Sequence, residues 1–197
     1  AVTSGQNNTA VGYAALSNCT GQNNVGLGDL AGQGLTSGTG VVAIGEQVLN
    51  GTSNQSYMVG IGYQALYTSG TIAYTVAVGY RAGYHMTSGS TNIIMGRDAA
   101  KGTGNWNGDY NTILGDEACV DCSGSFNNTL AIGRQALKKV QSSSTTMNSL
   151  FAIGNQALKE HDGSGNHSTG GYTMAIGVAS TDGFAGVGTT TLLPSTV

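Results

Sequence analysis

The three cysteines of the chain are the first residues to weigh for chemistry. Cys119 and Cys122 have the C-x-x-C spacing of half a zinc site, but no histidine stands near them in sequence. Cys19 lies a hundred residues away, and an odd total of three does not suit a disulfide framework. We therefore expect no metal here, and Cys119 and Cys122 are interpreted as free thiols or a local disulfide.

Two further stretches hold groups that bind metals elsewhere. His161 and His167 bracket Asp162 in KEHDGSGNHSTGG, which we interpret as a solvated loop. The segment GDYNTILGDEACVD has four carboxylates, but their spacing matches no calcium loop with a fixed ligand order. The other acidic residues are scattered, so we nominate no catalytic pair within one chain, and a pair across a subunit boundary stays open. We predict neither a metal site nor a cofactor.

Two glycine-rich strings satisfy the dinucleotide-binding pattern G-x-G-x-x-A. They are GLGDLA at 26–31 and GIGYQA at 60–65. That pattern binds phosphate only where it follows a strand and opens a helix inside a βαβ unit, and neither string does so here. Both are by-products of a repeat, and we predict no phosphate site.

Aromatic residues offer the best candidates for recognition. Tyrosine faces are flat and amphipathic, which suits sugars or a protein partner. Trp106 lies in a lengthened connection, GTGNWNGDY, and is the first candidate for a receptor contact; the long loops 138–149 and 159–172 come next. The tyrosines that cluster around two neighbouring repeats are Tyr63, Tyr67, Tyr80 and Tyr84. The alternative is that these rings only cover the fold or fill subunit junctions.

Composition excludes several partners. The chain has 33 Gly and one Pro in 197 residues, 9% charged residues and a net charge of −3 with no run of Lys or Arg. Nucleic acid and anionic membrane surfaces are therefore not expected as partners. No apolar run approaches the length needed to span a bilayer, and the first residues do not resemble a secretory signal.

An internal repeat explains most of this composition. Its marker is a glycine that follows a small and then a large residue, at intervals of 16 to 23 residues. The repeat glycines are Gly12, Gly28, Gly45, Gly62, Gly79, Gly96, Gly115, Gly133, Gly154 and Gly177. A degenerate copy ends at Gly188.

The residues before each repeat glycine alternate between large and small. A large apolar residue usually stands one and three places before it, and Ala or Gly usually stands two places before it. This period of two predicts a short strand with one bulky face and one nearly bare face. We place the bulky face inside the fold and the bare face against neighbouring chains; the opposite assignment stays open.

The residues after the glycine look helical but do not continue as a helix. Strings such as YQAL are followed by Gly, Ser, Thr and Asn without a second apolar turn, so we predict a corner and then a second short strand. One such repeat cannot fold alone, whereas stacked repeats share a core and backbone hydrogen bonds. The predicted fold is an all-β parallel solenoid of about ten coils at 1–180, with a junction segment at 181–197.

The octets TAVGYAAL, VAIGEQVL, LAIGRQAL and FAIGNQAL resemble the head repeats of YadA-like trimeric autotransporter adhesins. They resemble still more the AIGYQAL repeats of phage tail-fibre proteins that carry an endosialidase-type chaperone. The segment FAGVGTTTLLPS at 184–195 is similar to one that precedes the terminal region of such fibres. The resemblance implies a left-handed β-roll, a homotrimer, and an extracellular place on a virion fibre or a cell-surface appendage.

From the repeat and the resemblance together we predict a non-enzymatic fibre or adhesin module. It would form a rigid trimeric shaft or head, join other fibre subunits, and display loops to a cell-surface glycan or protein receptor. The alternative is a glycan-degrading, depolymerase-like fibre with sites at subunit boundaries. Ice binding would require a flat array of Thr-x-Thr, and no coil-by-coil array of that kind is present.

Overall fold

A computed structural model of the chain describes residues 5–51, 54–67, 70–103, 106–140, 147–161 and 173–177. Within these ranges the chain contains strands and turns and no helix, as predicted. The strands in chain order are β1 (Thr9–Val11), β2 (Val25–Leu27), β3 (Val42–Ile44), β4 (Val59–Ile61), β5 (Thr71–Ala73), β6 (Val76–Val78), β7 (Met86–Ser90), β8 (Ile93–Met95), β9 (Trp106–Asn107), β10 (Thr112–Leu114), β11 (Gly124–Asn127), β12 (Leu130–Ile132), β13 (Lys139–Val140), β14 (Met147–Asn148), β15 (Leu150–Ile153), β16 (Glu160–His161) and β17 (Thr173–Ile176).

Ten of these strands form one parallel sheet, in the order β1-β2-β3-β4-β6-β8-β10-β12-β15-β17. Each ends directly before one of the ten repeat glycines, so the sequence marker and the main sheet coincide. A second sheet of five strands has the order β14-β11-β9-β7-β5, and β13 pairs with β16. The architecture is an all-β solenoid of about eight turns built from stacked parallel strands, which confirms the all-β, parallel and solenoidal parts of the predicted fold class. The junction segment predicted at 181–197 lies outside the described residues.

The coils stack in strict register along the main sheet. Val59 pairs with Val76, Gly60 with Ala77, and Ile61 with Val78. In every other neighbouring pair of strands of this sheet, the residues that pair likewise stand at the same distance before their repeat glycines. Equivalent positions of successive coils therefore form columns parallel to the solenoid axis, spaced by about 4.8 Å as in any sheet. Every column of side chains discussed below follows from this register.

The corner after each repeat glycine is not a helix, as the sequence predicted. In the coil of Gly62, the backbone φ is +52° at Gln64 and +53° at Leu66, so left-handed residues alternate with right-handed ones. The amide of Gln64 donates to the carbonyl of Glu46 in the preceding coil (3.0 Å), and that of Leu66 donates to Ala82 in the next (2.9 Å). Hydrogen bonds to both neighbouring coils thus compensate a backbone conformation that costs about 1–3 kcal/mol per residue.

The predicted direction of the two strand faces was wrong: the small residues face the core, and the large residues face outward. The small residues two places before the glycine point inward: Gly26, Ala43, Gly60, Ala77, Ala131 and Ala152 are all buried. The large residues on either side of them face outward and are half-buried or exposed. The core is instead filled from the corner, where the third and fourth residues after the glycine point inward.

The reason is the short distance between each strand and the corner of the preceding coil. A Cβ added at Gly26 would lie 2.7 Å from Cγ of Leu16, and one at Gly60 would lie 2.7 Å from a methyl of Val48. A large residue on the strand needs a small one on the corner: Ile94 is accommodated beside Gly83, whose added Cβ would lie 3.3 Å from its terminal methyl. Leucines on the corner therefore dictate small residues on the strand.

The side chains of buried asparagines form hydrogen bonds between neighbouring coils. Asn111 donates from Nδ2 to Oδ1 of Asn92 (3.0 Å) and to the carbonyl of Phe126 (3.0 Å). Its own Oδ1 accepts from the amide of Thr129 (2.9 Å). These amides are buried but fully used, which is the condition under which polar groups are tolerated inside a core.

Candidate binding surface

Four of the tyrosines predicted from sequence lie together on the corner face of the solenoid. Tyr63 and Tyr80 follow their repeat glycines directly, and Tyr67 and Tyr84 come four residues later. The register stacks Tyr63 on Tyr80 with ring centroids 5.3 Å apart and planes 14° apart. Tyr67 stacks on Tyr84 at 5.1 Å and 6°. The predicted residues thus form two short aromatic stacks on adjacent coils.

Arg81 lies between the two stacks. Its guanidinium carbon is 4.9 Å from the centroid of Tyr80 and 5.7 Å from that of Tyr84. Its Nε donates to Oε1 of Gln64 (3.3 Å), which in turn donates from Nε2 to Gln47 (2.8 Å). No carboxylate of the described residues pairs with Arg81 within 4.0 Å. We call Tyr63, Tyr67, Tyr80, Arg81 and Tyr84 the aromatic platform. Its four tyrosines were named as candidates from the sequence, whereas Arg81 was not.

His85 borders the platform without adding a charge to it. Its ring packs edge-on against Tyr84, with centroids 4.5 Å apart. Burial and the nearby charge of Lys101 lower the pKa of His85 below its ordinary value. The imidazole is therefore held neutral to lower pH than a free histidine, and Arg81 carries the permanent charge of the surface.

In the coils that follow the platform, charged residues occupy the equivalent corner positions. Arg97 contacts Asp98 (3.2 Å), Asp116 (2.8 Å) and Glu117 (2.9 Å). The hydrogen bond from Gln135 and then that from Arg97 lower the pKa of Glu117, and the two carboxylates raise that of Arg97. A glycosidase needs one carboxyl group with a raised pKa as its general acid. The acids brought together here are paired with cations instead.

Trp106 does not lie on the surface, in contrast to its sequence-based assignment as a receptor contact. It begins β9 in the second sheet and is completely buried, with its ring centroid 5.5 Å from that of Phe126. Its indole nitrogen is one of the few buried polar atoms with no hydrogen-bond partner among the described residues. A lengthened connection suggested exposure, but the longer chain enters the core and fills the space between the sheets.

The other candidate sites from the sequence are only partly placed. Cys119 and Cys122 form a disulfide, one of the two interpretations left open. Cys19 is buried, and its sulfur accepts a hydrogen bond from Nδ2 of Asn24 (3.3 Å). Among the described residues no group of three or more His, Cys, Asp or Glu is placed to hold a metal ion. Asp162, His167, half of loop 138–149 (141–146) and most of loop 159–172 (162–172) lie outside the described residues.

A second tyrosine column was missed as a site in the sequence. Tyr57, Tyr74 and Tyr110 each stand five residues before a repeat glycine and are 56%, 60% and 61% exposed. Tyr57 stacks on Tyr74 with centroids 5.3 Å apart and planes 9° apart. The signal was available, because a fixed offset from the repeat glycine places residues in one column. Thr91 occupies that column between Tyr74 and Tyr110.

Apolar residues of the main sheet form a long outward-facing surface of half-buried and exposed side chains. Along the ten strands the outward positions are the first and third before the repeat glycine, twenty positions in all. Eighteen of them are Val, Leu, Ile, Met or Phe, and the other two are Thr9 and Thr112. We call this surface the outer face. A sheet face of this composition usually packs against another layer of the protein, but no described element of the chain covers it.

Nothing in the described part of the chain is a helix able to cross a membrane. The likeness to fibre and adhesin repeats is carried by the repeat octets alone. No protein-family model, no curated protein and no solved structure matches the chain.

Proposed function

We propose that this chain is a structural module of an extracellular fibre or adhesin, in which three copies associate through the outer face into a rigid shaft or head. The single observation that carries the proposal is the composition of that face: eighteen apolar residues in twenty outward positions, over ten strands. At about 4.8 Å per strand the nine steps extend over about 43 Å. Apolar patches of this extent on a soluble protein mark interfaces.

The arrangement of the outer face supports a closed assembly of identical chains. A long flat apolar surface that repeats with one period fits another copy with the same period better than an unrelated partner. Closed rotational symmetry is the usual solution for identical chains, because every copy then buries the same surface. The number three comes from the resemblance of the octets to fibre and adhesin repeats. The proposed contact between subunits uses the large outward residues of the strands, whereas the sequence analysis favoured the bare face for this contact.

A charge in the centre of the outer face is expected to break the assembly. Ile61 is an outward residue on β4, at a strand position that no described element covers. Replacing it with Glu would bury an unpaired carboxylate in the contact three times per trimer, at a cost of about 3–5 kcal/mol each. The wild type is expected to have the mass of three chains by light scattering, and Ile61→Glu the mass of one.

The control for this experiment adds the same charge elsewhere. Asn155 is exposed at the corner and is not an outer-face residue, so Asn155→Glu is expected to leave the mass at three chains. Circular dichroism on all three proteins checks that the β-structure is retained. A wild type with the mass of one chain at micromolar concentration would refute the trimer, and an assembled Ile61→Glu variant would refute this contact surface.

The aromatic platform is the surface that this module would display to a receptor. Stacked phenols with one cation that no described carboxylate neutralises suit a surface glycan or protein that presents an acidic group next to a flat apolar face. We expect Arg81→Gln and Tyr80→Ala each to weaken attachment about tenfold on an array of acidic and neutral glycans. Tyr13→Ala is the matched control, since Tyr13 is exposed at the same corner position four coils away. Equal attachment by all variants would remove the platform from the proposal.

The alternative of a glycan-degrading fibre has no comparable support. The carboxylates that lie close together are paired with Arg97, Arg134 and Lys138, which favours their ionised form. Release of reducing ends from polysaccharides by the assembled protein would revive this alternative, and would direct the search to the subunit boundaries.

A further inference from the structure

A ring-sized gap interrupts the second tyrosine column. Tyr57 and Tyr74 are stacked, the next coil has Thr91 in the same position, and the coil after that has Tyr110. Regular hydrogen bonds fix this order: the amides of Tyr74, Thr91 and Tyr110 donate to Ser56 (3.4 Å), Ala73 (3.2 Å) and Ser90 (3.1 Å) in the preceding coils. Tyr74 and Tyr110 are therefore separated by two coils with no aromatic ring between them.

The width of the gap is that of one ring. Two coils at about 4.8 Å place Tyr110 about 10 Å from Tyr74. A planar group halfway between them would lie about 5 Å from each centroid, which is close to the 5.3 Å that separates Tyr57 from Tyr74. The gap thus offers a stacking partner on both sides at the distance that this column already uses.

The lining of the gap defines what it would hold. Tyr74 and Tyr110 form its walls, and Val76 and Ile93 supply apolar surface. Thr91 and Thr112 bring hydroxyl groups, and no lining residue carries a charge. The groove has a volume of about 460 Å³. This is within the range of about 300–1,000 Å³ found for small-molecule sites, which combine apolar walls with a few polar groups.

The geometry points to a binding slot for an uncharged hexopyranose unit of a glycan, held between Tyr74 and Tyr110 above Ile93. A pyranose ring with equatorial hydroxyl groups has apolar C–H faces and a polar edge. Its faces would contact the two phenol rings, and its edge would reach Thr91, Thr112 and water. A nucleotide would bring phosphate into a slot without a cation, and an acidic sugar would find no positive partner there. An aromatic side chain would match the walls but would leave the threonine hydroxyls unused.

The decisive variant fills the slot without disturbing the fold. Thr91 has a φ of +60°, and Tyr57, Tyr74 and Tyr110 adopt +58°, +49° and +60° in the same column, so a tyrosine fits the backbone at position 91. Thr91→Tyr would complete the stack from position 57 to position 110. Thr91→Ser is its matched control, because it keeps both the hydroxyl and the open space.

The probes are neutral β-linked gluco-, galacto- and mannopyranose oligosaccharides, screened on an array and then titrated by calorimetry and ligand-observed NMR with the full chain. We expect at least one to bind, with affinity lowered tenfold or more by Thr91→Tyr and by Tyr110→Ala. Thr91→Ser and Tyr13→Ala should bind within twofold of the wild type, since Tyr13 is exposed and belongs to neither the slot nor the platform. The melting temperature of Thr91→Tyr should be unchanged or higher.

Several results would overturn this inference. They are the absence of binding to every neutral oligosaccharide, undiminished binding by Thr91→Tyr, or tighter binding of N-acetyl-tyrosine amide than of any sugar. A change of mass in Thr91→Tyr or Tyr110→Ala would assign the slot to a side chain of a second copy and would also overturn it. Val76, Ile93 and Thr112 also belong to the outer face, so the slot lies at the edge of the proposed trimer contact, which must leave that edge open. The trimer itself is tested by the mass of the wild type and not by sugar binding.

Discussion

Gly62→Ala is expected to destabilise the protein by about 4 kcal/mol, from backbone strain of about 1–3 kcal/mol and overpacking of a similar size. Gly62 directly follows β4 and has a φ of +123°, in the region that only glycine adopts easily. An added Cβ would lie 2.7 Å from the carbonyl carbon of Gly79 in the next coil, and closer still to its oxygen. The obstacle is backbone, so no rotamer change relieves it.

The measurement is thermal and chemical denaturation at one fixed protein concentration. At about 2–4 °C per kcal/mol for a chain of this length, the melting temperature should fall by roughly 8–16 °C. Gly60→Ala is the matched control, two residues earlier: alanine already stands at this position in the coils on either side, at Ala43 and Ala77, and the added Cβ meets side chains of Val48 and Leu49 rather than backbone, so we expect a smaller loss. Equal melting temperatures for the two variants would contradict the stacking of the repeat glycines.

Trp106→Ala is expected to cost about 3–5 kcal/mol, the usual penalty for removing a large aromatic side chain from a core. The ring is completely buried and packs against Phe126 between the two sheets. A receptor contact at this position would instead reduce attachment and leave the melting temperature unchanged. Denaturation and glycan-array attachment of the same variant therefore separate the core role from the surface role that the sequence suggested.

Trp106→Phe sharpens the same experiment. Phenylalanine keeps an aromatic ring beside Phe126 and removes an indole N–H that has no partner among the described residues. Loss of a buried unsatisfied donor offsets part of the lost packing, so we expect a cost below about 1.5 kcal/mol. A loss as large as that of Trp106→Ala would indicate that the nitrogen is hydrogen-bonded after all.

The spacing of the glycines was enough to predict the sheet and its register. Each repeat glycine ends one strand of the main sheet, and the interval between glycines gave the coil length even where it grew from 17 to 21 residues. The same spacing predicted that Tyr63 stacks on Tyr80, because residues at one offset from the glycine share a column. Parallel in-register stacking converts position in the repeat directly into position in space.

Three features were decided only by the tertiary structure. The period of two showed that each strand has a bulky and a bare face, but which face points inward depends on how closely the corner of the preceding coil approaches the strand. Leu16 opposite Gly26 occupies that space, and so the bulky residues face outward. Burial of Trp106 and the gap at Thr91 depend in the same way on neighbours in other coils. The sequence determined the repeating unit and its register, because these are local and periodic; which surfaces are covered is a property of the packed coils.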